Sequence, residues 1–124
     1  MSTTLKAYIA DQIFTGDNWL SHHAVIIEDN KIKELVPVQS LPSSIATEQF
    51  DECIIAPAFI DLQIYGADGK LLAVYPETDS LVKLKEYCEK GGAAYCMPTV
   101  ATNTAEVFYN CIDAVRDYWQ KGGE

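Results

Sequence analysis

The sequence predicts an α/β chain in two parts: a small antiparallel β-meander over residues 1–55, then a β-α-β-α run over residues 56–124. Two observations predict it. Up to residue 55 the apolar residues come in short runs separated by turn residues, which is a strand pattern. After Gly66 apolar residues at helical spacing alternate with short apolar runs, which is the pattern of strands joined by helices in a parallel sheet. Where the parts meet, the run Cys53 to Ile64 is mostly apolar, with Asp61 and Gln63 near its far end. It reads as a strand buried on both faces. Polar residues at the C-terminal end of such a strand point to a site, because parallel α/β sheets present ligands there.

The elements follow in order. Leu5 to Phe14 reads as a first strand, and Thr15-Gly16-Asp17-Asn18 as a turn. Trp19 to Glu28 reads as one second strand. Asp29-Asn30 is a two-residue hairpin loop, since Asn tolerates positive φ. Ile32 to Val38 returns as a third strand, with Pro37 at its end or edge. Pro42-Ser43-Ser44 opens a loop, and Phe50 to Ile55 leads into the central strand. His22 and His23 are adjacent, so on a strand they point to opposite faces and do not share a metal ion.

Beyond Gly66, Ala67-Asp68-Gly69-Lys70 is loop-like. Asp79 or Ser80 is expected to cap a helix over residues 81–90, with Leu81, Leu84 and Cys88 on one face. Gly91-Gly92 stops it. Residues 93–100 read as a second buried strand, parallel to the first. Asn103 and Glu106 have capping-box spacing into a second helix, whose buried face is expected to be Phe108, Cys111, Ile112, Val115 and Trp119.

Composition narrows the function. The 124 residues are 48% hydrophobic, enough for a core, and the net charge of −9 disfavours nucleic acid and anionic membranes. The N-terminus lacks the regions of a signal peptide and no apolar run is long enough to span a bilayer, so a cytoplasmic location is expected. Cys53, Cys88, Cys96 and Cys111 lack zinc or redox spacing and read as free thiols, three of them among apolar neighbours. Two strands and two helices do not cover a sheet on both faces, and a complete barrel needs about 250 residues. The chain is therefore expected to be the N-terminal part of a larger enzyme, with open strand edges that favour homo-oligomers.

The stretch Pro57-Ala58-Phe59-Ile60-Asp61-Leu62-Gln63-Ile64-Tyr65-Gly66 resembles the first barrel strand of the amidohydrolase superfamily. Most members end that strand in His-x-His. The N-acetylglucosamine-6-phosphate deacetylases can read Asp-x-Gln-x-Asn-Gly, which is the form seen here apart from Tyr65. Gln12-Ile13-Phe14-Thr15-Gly16 and His23-Ala24-Val25-Ile26-Ile27 resemble the opening strands of these deacetylases. Gly92-Ala93-Ala94-Tyr95-Cys96-Met97-Pro98-Thr99 resembles their second barrel strand.

The resemblance implies a small β-domain, part of a β-sandwich, followed by the start of a metal-dependent-hydrolase TIM barrel. It implies a parent that deacetylates a sugar phosphate with a divalent metal, zinc or similar. It places Gln63, Tyr65 and Gly66 at the barrel mouth and makes Asp61 an interior hydrogen-bonding residue. The family's metal ligands and catalytic Asp fall beyond residue 124, so this chain is expected to hold no catalytic residue and no metal, and to be inactive alone. Two departures are Ala58, where the family has Gly, and Tyr65, where it has Asn. The alternatives are a dihydroorotase-like or deaminase-like amidohydrolase, against which the missing His-x-His weighs, and a non-enzymatic self-associating domain.

Overall fold

A computed structural model describes residues 5–123. The chain forms two compact units, one through Pro57 and one from Ala58.

The first unit is a five-stranded sheet built on β1 (Leu5–Phe14). β2 (Trp19–Ser21) and β3 (His23–Glu28) run antiparallel along one edge of β1. They were expected as a single strand. The pairing register is unchanged across them, but His22 between them has φ 56°, a left-handed kink that interrupts the ladder. Asp29 and Asn30, at φ 48° and 63°, make the expected two-residue turn. β4 (Lys31–Pro37) follows, pairing with β3.

β5 (Ala46–Ile55) corrects the meander: it begins earlier than expected and pairs with the other edge of β1 in parallel. Antiparallel neighbours can be joined by a tight turn, whereas a parallel return needs a longer connection. Residues 38–45 supply it. A short helical turn at Val38–Ser40 lies within this connection, and Val38, Leu41 and Ile45 pack on the buried cluster of Ala7, Ala24 and Ile26.

The second unit begins with β6 (Phe59–Ile64). A small hairpin follows, β7 (Gly66–Ala67) and β8 (Lys70–Leu71), then α1 (Thr78–Lys90), β9 (Ala93–Pro98) and α2 (Ala105–Gln120). β6 and β9 are parallel neighbours, as expected from the β-α-β order. Ile64 and Ala67 pack on Leu84 and Cys88 of α1, with Ala93 and Cys96 at the margin.

The strand expected to be buried from Cys53 to Ile64 is instead two strands, separated by Ala56-Pro57-Ala58, and it is mostly exposed. Phe59 is 70% exposed, Ile60 60% and Leu62 69%. Among the described residues β6 pairs only with β9, which leaves one edge open, and α1 covers little beyond Ile64. Cys53 is likewise exposed rather than buried; all four cysteines are free thiols.

The helices carry further corrections. α1 starts at Thr78, so Asp79 and Ser80 lie in its first turn and do not cap it; Glu77 holds the cap position without a side-chain bond. In α2 the cap is Thr104, whose Oγ1 accepts from Val107 N, while Asn103 Oδ1 accepts from Thr104 N at 2.9 Å. The packed face of α2 is Cys111 and Ala114, flanked by Val107, Val115 and Tyr118, against Leu72 and Leu81. Phe108, Ile112 and Trp119, expected inside, are exposed along a groove beside Leu72, Pro98 and Val100. No helix among the described residues is long and apolar enough to cross a membrane.

Gly66 has no room for a side chain: a Cβ would lie 2.0 Å from the Lys70 carbonyl oxygen and 2.8 Å from Leu71 Cα. These are backbone atoms that cannot swing aside. Gly66→Ala is expected to destabilise the second unit by about 2 kcal/mol or more, read as a lower urea midpoint. An unchanged midpoint would mean that the hairpin does not close as described.

Candidate functional site

The site sits where β6 ends. The β6–β9 register shifts between Asp61 and Ile64, so strict alternation does not hold there; Ile64 is buried while Gln63 and Tyr65 on either side of it are exposed. Ile64 is the anchor. Its side chain is buried against α1, and its carbonyl accepts from Thr99 N, just past β9, at 2.8 Å. The Tyr65 carbonyl accepts from Leu72 N at 2.9 Å. The backbone that carries Gln63 and Tyr65 is therefore tied to β9 on one side and to the hairpin on the other.

The side chains form a short chain of contacts. Asp61 Oδ1 accepts from the Gln63 backbone N–H at 3.0 Å. Gln63 Nε2 donates to Tyr65 Oη at 2.5 Å. An open groove runs over them, lined also by Gly66, Lys70 and Tyr87. The structure thus brings Gln63, Tyr65 and Gly66 to one place. The close approach that Gly66 permits is to its own hairpin, at Lys70.

Lys70 was not singled out from the sequence. Its Nζ lies 2.7 Å from both Glu77 Oε1 and Asp79 Oδ2, which ties the hairpin to the start of α1. Asp79 is also paired with Lys83 at 3.1 Å. The readable signal was Asp68-Gly69, a type I′ hairpin pair; both residues have positive φ here, at 51° and 77°. A hairpin at that place sets Lys70 beside the strand end.

The Lys70 ammonium, bonded to Asp79 and Glu77, is held above its ordinary value of 10.5. The Asp79 carboxyl, bonded to Lys70 and then Lys83, is held below 3.8. Burial, with a bond to Cys88 as a second cause, pushes the Cys96 thiol up to about 11, and burial raises Cys111. Neither is poised as a nucleophile or a thiolate ligand at neutral pH.

The residues at the β6 end do not make up a zinc donor set. Asp61 is one carboxylate, and the neutral tips of Gln63 and Tyr65 are bonded to each other. A zinc centre takes at least three nitrogen, oxygen or sulfur donors from the protein. No group of three or more His, Cys, Asp or Glu arranged for a metal occurs among the described residues. His23 Nδ1 contacts the Ser21 carbonyl at 2.8 Å.

Residues 7–51 match the family described as the NagA composite domain. The chain is 28% identical over 109 residues to the N-acetylglucosamine-6-phosphate deacetylase of Haemophilus influenzae, covering 88% of this chain and 29% of that one. The chain resembles the N-terminal portion of the N-acetylglucosamine-6-phosphate deacetylases. It is also 27% identical over 114 residues to the N-acetylgalactosamine-6-phosphate deacetylase of Escherichia coli O157:H7, covering 92% of this chain and 29% of that one. It spans under a third of the length of both relatives. The crystal structure of the deacetylase from Pasteurella multocida matches with a TM-score of 0.83 at 23% identity, covering 94% of this chain and 31% of that one. At that identity the likeness establishes the fold, here the fold of the corresponding part of a deacetylase.

The lowered Asp79 pKa adds stability above its ordinary value near 3.8, lost as pH falls through the lowered folded value. The raised Lys70 pKa adds stability below 10.5, lost as pH rises through the raised folded value. Lys70→Met is expected to lower the urea midpoint of the second unit by a constant amount between about pH 5 and pH 9, with the gap shrinking below about pH 4. A gap that widens in acid would contradict the pairing.

Proposed function

We propose that this chain is the N-terminal portion of a deacetylase that hydrolyses an N-acetylamino-sugar 6-phosphate to the free amine and acetate. One observation carries the reading. A parallel strand pair presents Asp61, Gln63 and Tyr65 at its C-terminal end, where barrel enzymes carry their sites, in a chain whose relatives are sugar-phosphate deacetylases. In this proposal β6, α1, β9 and α2 are the first half-turns of a TIM barrel, residues 56–124, and residues 1–55 belong to a β-sandwich domain. Gln63, Tyr65 and Gly66 lie at the barrel mouth. The two curated relatives are named for sugars that are epimers of each other, so both are candidate substrates.

Amide hydrolysis needs an activated water and a proton donor for the leaving amine. A divalent metal, zinc or similar, would supply the first in the parent. The residues at the β6 end do not fit that ion, so its ligands belong to other segments of the parent. The chain by itself is proposed to be inactive. The open edges of β6 and β9 make this chain by itself a candidate homo-oligomer, whereas a closed barrel in the parent would pair them.

The test is a chimera in which this chain replaces the matching portion of the Haemophilus influenzae deacetylase, assayed for acetate release from N-acetylglucosamine 6-phosphate beside the chain alone. The chimera is expected to release acetate, and Gln63→Leu to slow it by about tenfold or more. The chain alone is expected to release none. Acetate release by the chain alone, or a folded, metal-loaded chimera without activity on either epimer, would overturn the reading.

A further inference from the structure

The Gln63–Tyr65 contact determines what the groove has left to offer a ligand. A glutamine amide has two N–H donors and a carbonyl acceptor; a tyrosine hydroxyl has one donor and acceptor capacity. The bond from Gln63 Nε2 to Tyr65 Oη uses one N–H of the amide and one lone pair of the hydroxyl. The Tyr65 O–H then remains as a donor and Gln63 Oε1 as an acceptor, side by side on one face. The charged groups beside them are each partly used. Asp61 Oδ1 accepts from the Gln63 backbone, and Lys70 Nζ is held by Glu77 and Asp79.

We propose that Gln63 and Tyr65 form a hydroxyl-binding clasp that takes two adjacent hydroxyl groups of a sugar ring. One ring hydroxyl donates to Gln63 Oε1 and its neighbour accepts from Tyr65 O–H. A neutral donor beside a neutral acceptor matches a pair of hydroxyls, each of which both donates and accepts. It does not match an ionised phosphate, which accepts only and draws positive charge. The clasp is preorganised, because Ile64 and Tyr65 carbonyls are bonded to Thr99 and Leu72 and the two tips already hold each other. Tyr65 is therefore a specificity residue for the ring hydroxyls, a role that rests on reading this groove as the mouth of the sugar site.

Saturation-transfer NMR on the full chain tests it, with N-acetylglucosamine 6-phosphate and its 3-deoxy analogue as ligands. Transfer is expected to be strongest at ring protons beside the adjacent hydroxyls. It is expected to fall about fivefold for the analogue, and equally for Tyr65→Phe with the intact sugar phosphate, the loss of one hydrogen bond. Phe keeps the ring and the backbone bond to Leu72; Gln63→Leu, checked by circular dichroism, gives the same loss from the other side of the clasp. No transfer to the unaltered chain, or equal transfer to it and to Tyr65→Phe, would overturn the clasp. Failure here with an active chimera leaves the deacetylase reading in place. An inactive chimera with the expected NMR losses removes that reading and leaves the hydroxyl clasp.

Discussion

The burial of Ile64 is the constraint on which the second unit depends. It is one residue of a six-residue strand, yet its side chain meets Leu84 and Cys88 of α1 while its carbonyl meets Thr99 after β9. With Ile64 held inward, its neighbours Gln63 and Tyr65 are left exposed at the strand end, beside the irregularity in the β6–β9 ladder between Asp61 and Ile64. A slip of one residue would exchange them. Lys70 then fastens the hairpin after Tyr65 to the first turn of α1 through two carboxylates. The candidate site is thus a consequence of packing beneath it and ion pairing beside it.

Much of this was legible in the sequence, and the failures share a cause. The β-α-β-α order, the Asp29-Asn30 turn and the Leu81, Leu84, Cys88 face are local patterns, and all three appear in the structure. Burial is not local. Phe59, Ile60 and Leu62 read as a core strand, and Phe108, Ile112 and Trp119 as a core helix face, but no described element covers them. The residues have interior character without a described partner. The parallel pairing of β5 with β1 was also hidden, since it joins positions some forty residues apart and leaves no periodic trace.

At the strand end, Asp61 and Gln63 stand out as polar residues against an apolar run, while Tyr65 and Gly66 are singled out by the family resemblance. The bond between Gln63 and Tyr65 could not be read from spacing, since residues two apart on a strand share a face without having to touch. Lys70 was missed because a lone lysine in a loop has no pattern; only the hairpin turn at Asp68-Gly69 gives it a place.

The central claim is that the strand end carrying Gln63 and Tyr65 is held rigidly by β9 and the hairpin. Amide hydrogen exchange at Thr99 and Leu72, the donors to the Ile64 and Tyr65 carbonyls, tests it most directly. Both amides are expected to exchange as slowly as those in the middle of α1. Exchange at either position as fast as in an unstructured peptide would show that the strand end is not anchored.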